Sequence, residues 1–180
     1  MVDRPTVAAA GASDGSEVSA RELCPVGRTL LLTLRARAEE TLRPDAIRRD
    51  PEAAAMLPRL QREMPAPHPR PGRRWKTQVG VAVRGRRIDE AVERFAVRHP
   101  EGIIIDLGAG LDGRPRRLGG PGLDWLLVDR PEVLDLRRRL LPPGPREHLH
   151  AGSLEEASWI DRVRAFGPRP RLIIAEGVLM

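Results

Sequence analysis

The 180-residue chain is 41% hydrophobic and 31% charged, which is ordinary for a soluble globular domain, and no apolar run approaches the ~20 residues needed to span a bilayer. A single cysteine, Cys24, excludes an internal disulfide framework and a cysteine-rich metal site. The net charge of +6 comes almost entirely from arginines that are spread along the chain beside acidic residues, so we expect no nucleic-acid footprint.

The N-terminal part of the chain is predicted to consist of a tail and a first helix. Residues 1–25 lack hydrophobic periodicity, which is typical of a disordered tail. They also lack a basic stretch followed by an apolar one, so we expect a cytoplasmic protein. Leucines at positions 30, 31 and 34 predict a helix over 29–41, the first element of an N-terminal helical cap region that spans residues 26–100.

Prolines divide the rest of this helical cap region. Asp50 is a suitable N-cap with Pro51 at the first helical position, and they predict a short helix that Pro58 ends or kinks. The proline-rich segment 65–74 predicts a stiff connector. A single apolar stripe then predicts an amphipathic helix that ends before Pro100, with its members at i, i+3, i+4 and i+7: Ile88, Ala91, Val92 and Phe95.

Residues 101–180 alternate between strand and helix patterns. Such alternation predicts an α/β fold with a parallel sheet, right-handed crossovers and a ligand at the carboxyl ends of the strands. The last strand is expected to form an exposed sheet edge. The predicted strands cover 103–107, 125–129, 147–150 and 171–176, and the predicted helices cover 112–119, 132–141 and 155–166.

A glycine turn after the first predicted strand is the strongest functional signal. Three consecutive isoleucines lead into Gly108 and Gly110, and Gly113 completes a GxGxxG spacing. Asp129 ends the next apolar run, as an acidic residue does in dinucleotide sites. Asp106 argues for a different ligand, because a carboxylate beside a pyrophosphate is costly whereas an ammonium group favours it. S-adenosylmethionine carries an ammonium, a sulfonium and a ribose diol without a phosphate, so it fits Asp106 better, with Asp129 accepting from the ribose hydroxyls.

Five sequence blocks in a fixed order resemble the leucine carboxyl methyltransferase family, on its bacterial side of tetracenomycin-type polyketide O-methyltransferases. The blocks are residues 81–95, 106–112, 128–133, 153–159 and 175–180, and the upstream segments 29–38, 43–45 and 50–53 resemble the N-terminal helices of the family. The chain departs from the family pattern at Gly113, Pro115 and Arg35, where a threonine or an aromatic residue is common. The resemblance implies a Rossmann-like fold of class I S-adenosylmethionine-dependent methyltransferases.

The resemblance also implies roles for individual residues. Arg84 resembles the arginine that pairs with the cofactor carboxylate, and Glu176 resembles the acid that faces the methionine ammonium. Asp106, Gly108 and Gly110 are expected to line the methionine and ribose region. Asp129 is expected to contact the ribose, and Ser153 and Leu154 are expected to lie beside the adenine.

The implied activity is S-adenosylmethionine-dependent O-methylation of a carboxylate or hydroxyl of a small molecule, such as a polyketide-like secondary metabolite. A class I sheet has seven strands, so residues 101–180 are expected to be the N-terminal half of such a domain, and the chain alone is expected to be inactive. No catalytic base is identified, because His148 and His150 are on a short strand; this modestly favours a carboxylate acceptor, which is already ionised at neutral pH. Two alternatives stay open, an NAD(P)-dependent oxidoreductase and a noncatalytic methyltransferase remnant, and the oligomeric state is not predicted.

Overall fold

A computed structural model describes residues 25–63 and 74–178. The predicted tail lies outside these residues except for Pro25, and the predicted connector lies outside them except for Arg74. In chain order the elements are α1 (Pro25–Thr41), α2 (Pro51–Glu63), α3 (Arg74–Arg98), β1 (Ile103–Leu107), α4 (Arg114–Leu118), β2 (Asp124–Asp129), α5 (Pro131–Leu140), β3 (Glu147–Ala151), α6 (Ser158–Arg164) and β4 (Arg171–Ala175).

The four strands form one parallel sheet in the order β3-β2-β1-β4. The chain therefore adds β2 and β3 on one side of β1 and then crosses to the other side to place β4. In open α/β sheets, a crevice for ligands lies outside the carboxyl ends of the strands where the strand order reverses in this way, which here is between β1 and β4. The predicted α/β Rossmann-like fold, preceded by N-terminal helices, is confirmed.

Both faces of the sheet are covered, which explains the continuous apolar run of β1. Ile104 packs with Trp125 and Leu127 of β2 and with Val92 of α3 on one face. The alternate residues of β1 and β2 pack against Val163 of α6 on the other face, and they are Ile103, Ile105, Leu126 and Val128. Because neighbouring side chains of a strand point to opposite faces, a strand buried on both sides needs apolar residues at successive positions.

The helices α1 and α2 share a separate apolar cluster with α5. Leu34 is fully buried there, together with Met56 and Leu60 of α2 and with Leu136 of α5. This cluster carries the N-terminal helices onto the sheet domain beside the loop that follows β1, since Leu111 of that loop belongs to it. The N-terminal helices are thus fixed next to the carboxyl ends of the strands.

Of the two outcomes predicted for Pro58, an end of the helix is wrong, and a kink stays a prediction. Asp50 caps α2 as predicted, accepting a hydrogen bond from the backbone N–H of Ala53 at 3.1 Å. However, α2 does not end at Pro58 but continues to Glu63. A proline removes one i to i−4 hydrogen bond, yet the buried side chains of Met56 and Leu60 on either side of Pro58 pack against α1, and this packing outweighs the local cost.

The other predicted elements of the sheet domain are confirmed, with shifts of a few residues at their ends. β4 lies at an edge of the sheet as predicted, and Ile173 in its middle is 54% exposed. In the described part of the chain, no helix combines the length and the apolar character that a membrane span requires. The cytoplasmic location stays a prediction.

Candidate functional site

A cavity of about 560 Å³ lies at the carboxyl ends of the strands. Its floor comes from the loops that follow the four strands, and its remaining walls come from α1 and α3, through side chains such as Thr33 and Val81. Cofactor sites commonly have volumes of roughly 300–1,000 Å³, so the cavity is large enough for a nucleoside with an attached amino acid. Its position is the crevice that the strand order creates.

All eight residues that the sequence predicts for cofactor binding line this single cavity. They come from α3, from β1 and its loop, and from the ends of β2, β3 and β4: Arg84, Asp106, Gly108, Gly110, Asp129, Ser153, Leu154 and Glu176. The structure thus brings together residues that are up to 92 positions apart in the chain. Their individual roles toward a ligand stay predictions.

The loop after β1 needs glycine at two positions. Gly108 has φ +71° and Gly110 has φ +48°, both in the left-handed region. A Cβ on Gly108 would lie 2.3 Å from Cγ2 of Val178, and one on Gly110 would lie 2.9 Å from Cδ1 of Leu30. The backbone N–H of Gly108 donates to the carbonyl of Val128 at 2.8 Å, which ties the turn to β2. Side chains at these two positions would fill the cavity wall and strain the turn.

Asp129 connects the end of β2 to this turn. Its Oδ2 accepts a hydrogen bond from the backbone N–H of Gly110 at 2.7 Å, and its Oδ1 accepts one from the N–H of Arg130 at 2.7 Å. Burial raises the pKa of the Asp129 carboxyl, while these two backbone donors act to lower it. Each carboxylate oxygen can accept a second hydrogen bond, so the side chain can hold the turn and still accept from a diol in the cavity.

Asp106 is the most perturbed acid of the cavity. It is 2% exposed, and its Oδ2 has no hydrogen-bond partner among the described residues. Burial raises the pKa of this carboxyl to about 8, and the negative charge of Asp112 adds to the shift. Because an unpartnered buried carboxyl oxygen is costly, a cationic or hydrogen-bond-donating ligand at this wall would satisfy it.

Arg84 and Glu176 face each other across the cavity wall. Nε of Arg84 donates to Oε1 of Glu176 at 3.0 Å. The Arg84 side chain is 46% exposed, whereas that of Glu176 is 19% exposed. A cation and an anion side by side match the carboxylate and the ammonium of an amino acid, which carry the opposite charges.

The adenine side of the predicted site lies after β3. Oγ of Ser153 accepts a hydrogen bond from the backbone N–H of Glu155 at 3.2 Å. Leu154 packs against the apolar cluster under the sheet, and its carbonyl accepts from Nε1 of Trp159 at 3.3 Å. The loop is therefore held in shape while the Ser153 hydroxyl retains its donor hydrogen.

Sequence reasoning missed a group of buried ions behind the cavity. Arg114 is 2% exposed and contacts Asp112, Asp89 and Glu176. Burial acts to raise the pKa of Asp112, but Arg114 and the neighbouring arginines Arg37 and Arg48 outweigh it, and the pKa lies well below its usual range. One local sign was available: Asp112 stands two residues before Arg114, at the start of a helix. Nothing local distinguished Arg114 from the many surface arginines.

A parallel sheet with N-terminal helices, a glycine turn after its first strand and an acid after its second defines a Rossmann-like domain with a nucleoside-cofactor type of cleft. The chain belongs to the leucine carboxyl methyltransferase family, whose model matches residues 31–180. The resemblance seen in the sequence blocks is therefore confirmed.

Several named relatives match most of the chain. The tetracenomycin polyketide synthesis O-methyltransferase of Streptomyces glaucescens is 34% identical over 157 residues, which cover 87% of this chain and 56% of the relative. An S-adenosyl-L-methionine-dependent methyltransferase of Gibberella zeae is 30% identical, with 83% of this chain and 54% of the relative covered. A putative S-adenosyl-L-methionine-dependent methyltransferase of Parafrankia sp. is 33% identical, with 86% and 54% covered. The chain spans about half the length of the curated relatives it matches.

Proposed function

We propose that this chain binds S-adenosylmethionine in the 560 Å³ cavity and forms the cofactor-binding part of an O-methyltransferase that acts on a small molecule. The observation that carries the proposal is the charge pattern of the cavity wall. Asp106 contributes a buried carboxyl with an unpartnered oxygen, and Glu176 contributes a second carboxyl beside the guanidinium of Arg84. This pattern suits a ligand that has an ammonium, a carboxylate and no phosphate.

In this proposal, the eight residues contact different parts of the cofactor. Arg84 would pair with the cofactor carboxylate, and Glu176 and Asp106 would face its positive charge. Asp129 would accept from the ribose hydroxyls, and Ser153 and Leu154 would lie beside the adenine. The names of relatives from Gibberella zeae and Parafrankia sp., which state dependence on S-adenosylmethionine, support this choice of cofactor.

The proposed methyl acceptor is a carboxylate or a hydroxyl group of a polyketide-like small molecule. The cofactor supplies an electrophilic methyl on sulfur, so the protein has to orient the acceptor oxygen and exclude water. His148 bonds to Asp124 and His150 bonds to Ser158, and neither histidine lines the cavity. A carboxylate acceptor needs no base, because it is ionised at neutral pH, and this favours a carboxylate modestly. The name of the Streptomyces glaucescens relative supports a polyketide as the acceptor class.

The GxGxxG spacing taken alone would also suit an NAD(P)-dependent oxidoreductase, but the family to which the chain belongs is one of methyltransferases. Isothermal titration of the chain with S-adenosylmethionine, S-adenosylhomocysteine and NAD distinguishes the two. We expect S-adenosylmethionine and S-adenosylhomocysteine to bind, and we expect no measurable heat of binding with NAD. Glu176→Gln should weaken S-adenosylhomocysteine binding, while the exposed Glu156→Gln serves as the matched control. Binding of NAD alone would support the oxidoreductase, and binding of none of the three would support a noncatalytic remnant.

A further inference from the structure

The guanidinium of Arg114 makes four hydrogen bonds that fix it behind the cavity wall. The backbone N–H of Arg114 donates one more, to Oδ1 of Asp112 at 3.1 Å. Nε donates to Oδ1 of Asp89 at 2.6 Å, Nη1 donates to Oδ2 of Asp112, and Nη2 donates to the carbonyl of Gly85 at 3.3 Å and to Oε2 of Glu176 at 2.6 Å. A planar guanidinium presents five donors at fixed angles, so four simultaneous bonds leave its side chain a single orientation.

Glu176 is consequently held by two arginines of different character. Oε2 bonds to Arg114, which is 2% exposed, and Oε1 bonds to Arg84, which is 46% exposed. The exposed partner can exchange its bond for a ligand at low cost, whereas the buried partner would lose a desolvated ion pair. Arg114 is therefore the fixed support of Glu176, and Arg84 is the exchangeable one.

The hydrogen bonds of Arg114 connect three separate parts of the fold. Asp89 and Gly85 belong to α3, Asp112 belongs to the loop after β1, and Glu176 follows β4. A single side chain thus fixes the helix that carries Arg84 relative to the strand end that carries Glu176. These are the two groups that the proposed function assigns to the amino-acid portion of the cofactor.

We propose that Arg114 is a positioning residue that makes the cavity selective for nucleosides bearing an amino acid, by holding Glu176 where a ligand ammonium meets it. The proposal rests on the proposed function. It predicts a role that depends on the ligand: S-adenosylhomocysteine has the amino-acid portion, and 5′-methylthioadenosine has the same nucleoside without it. A side chain that only stabilises the fold would affect both ligands alike.

The experiment is a calorimetric titration of both ligands into the 180-residue chain and its variants. Arg114→Gln should weaken S-adenosylhomocysteine binding by about 10- to 100-fold, as for loss of a charged hydrogen bond, and leave 5′-methylthioadenosine within about threefold. Arg117→Gln is the matched control, because Arg117 also lies on α4 and bonds to Asp89 at 2.9 Å but does not contact Glu176. It should leave the ratio of the two affinities unchanged.

Two further variants keep the proposal open to refutation. Combining Arg114→Gln with Glu176→Gln should weaken S-adenosylhomocysteine no further than Glu176→Gln alone, because the first residue acts through the second. If Arg114→Gln does not fold, Arg114→Lys replaces it: a single ammonium cannot reach Asp89, Asp112 and Glu176 together, so selectivity should still fall.

The outcomes separate the two proposals. A folded Arg114 variant that retains the wild-type affinity ratio, or additive losses in the double variant, would overturn the positioning role and leave the proposed function intact. A wild-type chain that binds neither ligand would overturn the proposed function and the positioning role together.

Discussion

Replacing Asp106 by Asn should stabilise the protein while it weakens cofactor binding. The carboxyl is 2% exposed, and burial raises its pKa to about 8. An unfolded aspartate ionises near pH ~3.9, so at pH 7 the folded chain either keeps a proton that the unfolded chain releases or buries an unpartnered charge. Either alternative lowers the free energy of unfolding at pH 7 by at most about 4 kcal/mol, because each pH unit contributes about 1.36 kcal/mol.

An asparagine at this position removes the charge penalty but buries an amide, whose unpaired N–H groups cost about 1–3 kcal/mol. We therefore expect Asp106→Asn to raise the free energy of unfolding at pH 7, by at most about 1–3 kcal/mol. The sign follows from a folded pKa that lies above the unfolded one: the folded state loses stability as the pH rises from the unfolded pKa through about 8. The advantage of the variant should accordingly grow between pH 5 and pH 8, on the order of a few kcal/mol.

Cofactor affinity should move in the opposite direction. A cationic ligand favours the ionised Asp106, so wild-type affinity for S-adenosylmethionine should rise with pH up to about 8. Asp106→Asn should remove this rise, lower the affinity at pH 8 by about 10- to 100-fold, and leave NAD binding undetectable. Four charged groups around Asp106 act on its pKa: Asp112 and Glu176 raise it, and Arg114 and Arg137 lower it.

Urea denaturation at pH 5.5 and 8, with calorimetric titration at the same two values, measures both effects. Asp161→Asn is the matched control, because its side chain is 72% exposed on α6, and it should change neither quantity. A variant that is less stable than wild type at pH 8 would refute the burial argument. An Asp106→Asn variant that binds NAD more tightly than wild type would refute the assignment of Asp106 to a cationic ligand.

Three other substitutions test the site and the fold. Gly108→Ala should abolish S-adenosylmethionine binding and lower the free energy of unfolding by at least about 1–3 kcal/mol, because φ is +71° and the new Cβ meets Val178; retained affinity in titration would contradict the turn geometry. Asp129→Ala should weaken the same binding by about 1.5–3 kcal/mol, and an unchanged dissociation constant would remove the ribose role. Leu34 has no exposed side-chain surface, so Leu34→Ala should lower the free energy of unfolding, measured in urea titrations, by about 2–5 kcal/mol. Leu42→Ala is the control, because Leu42 is 76% exposed, and it should lower this free energy by less than about 0.5 kcal/mol. Equal decreases in the two variants would disprove the packing of α1.

The sequence alone determined most of the sheet domain, because its signals are local. Three patterns indicate their own local structure: the isoleucine run, the glycines of the turn, and the acids at the ends of the first two strands. The carboxyl ends of parallel strands lie at one edge of the sheet, so the residues that follow them are close together. The eight predicted site residues needed only this rule and the resemblance to reach one cavity. Residue types at strand ends therefore predicted the place of the site before any contact was known.

Only the tertiary structure decided the features that depend on distant partners. The continuation of α2 through Pro58 depends on packing against α1, which local propensity does not include. The strand order put β4 beside β1 and so placed Glu176 next to Arg84 and Arg114. Arg114 became distinctive through burial among three carboxylates, and Asp106 acquired its raised pKa through desolvation. Burial and pairing are properties of the folded arrangement, since the same residue types are solvated in the unfolded chain.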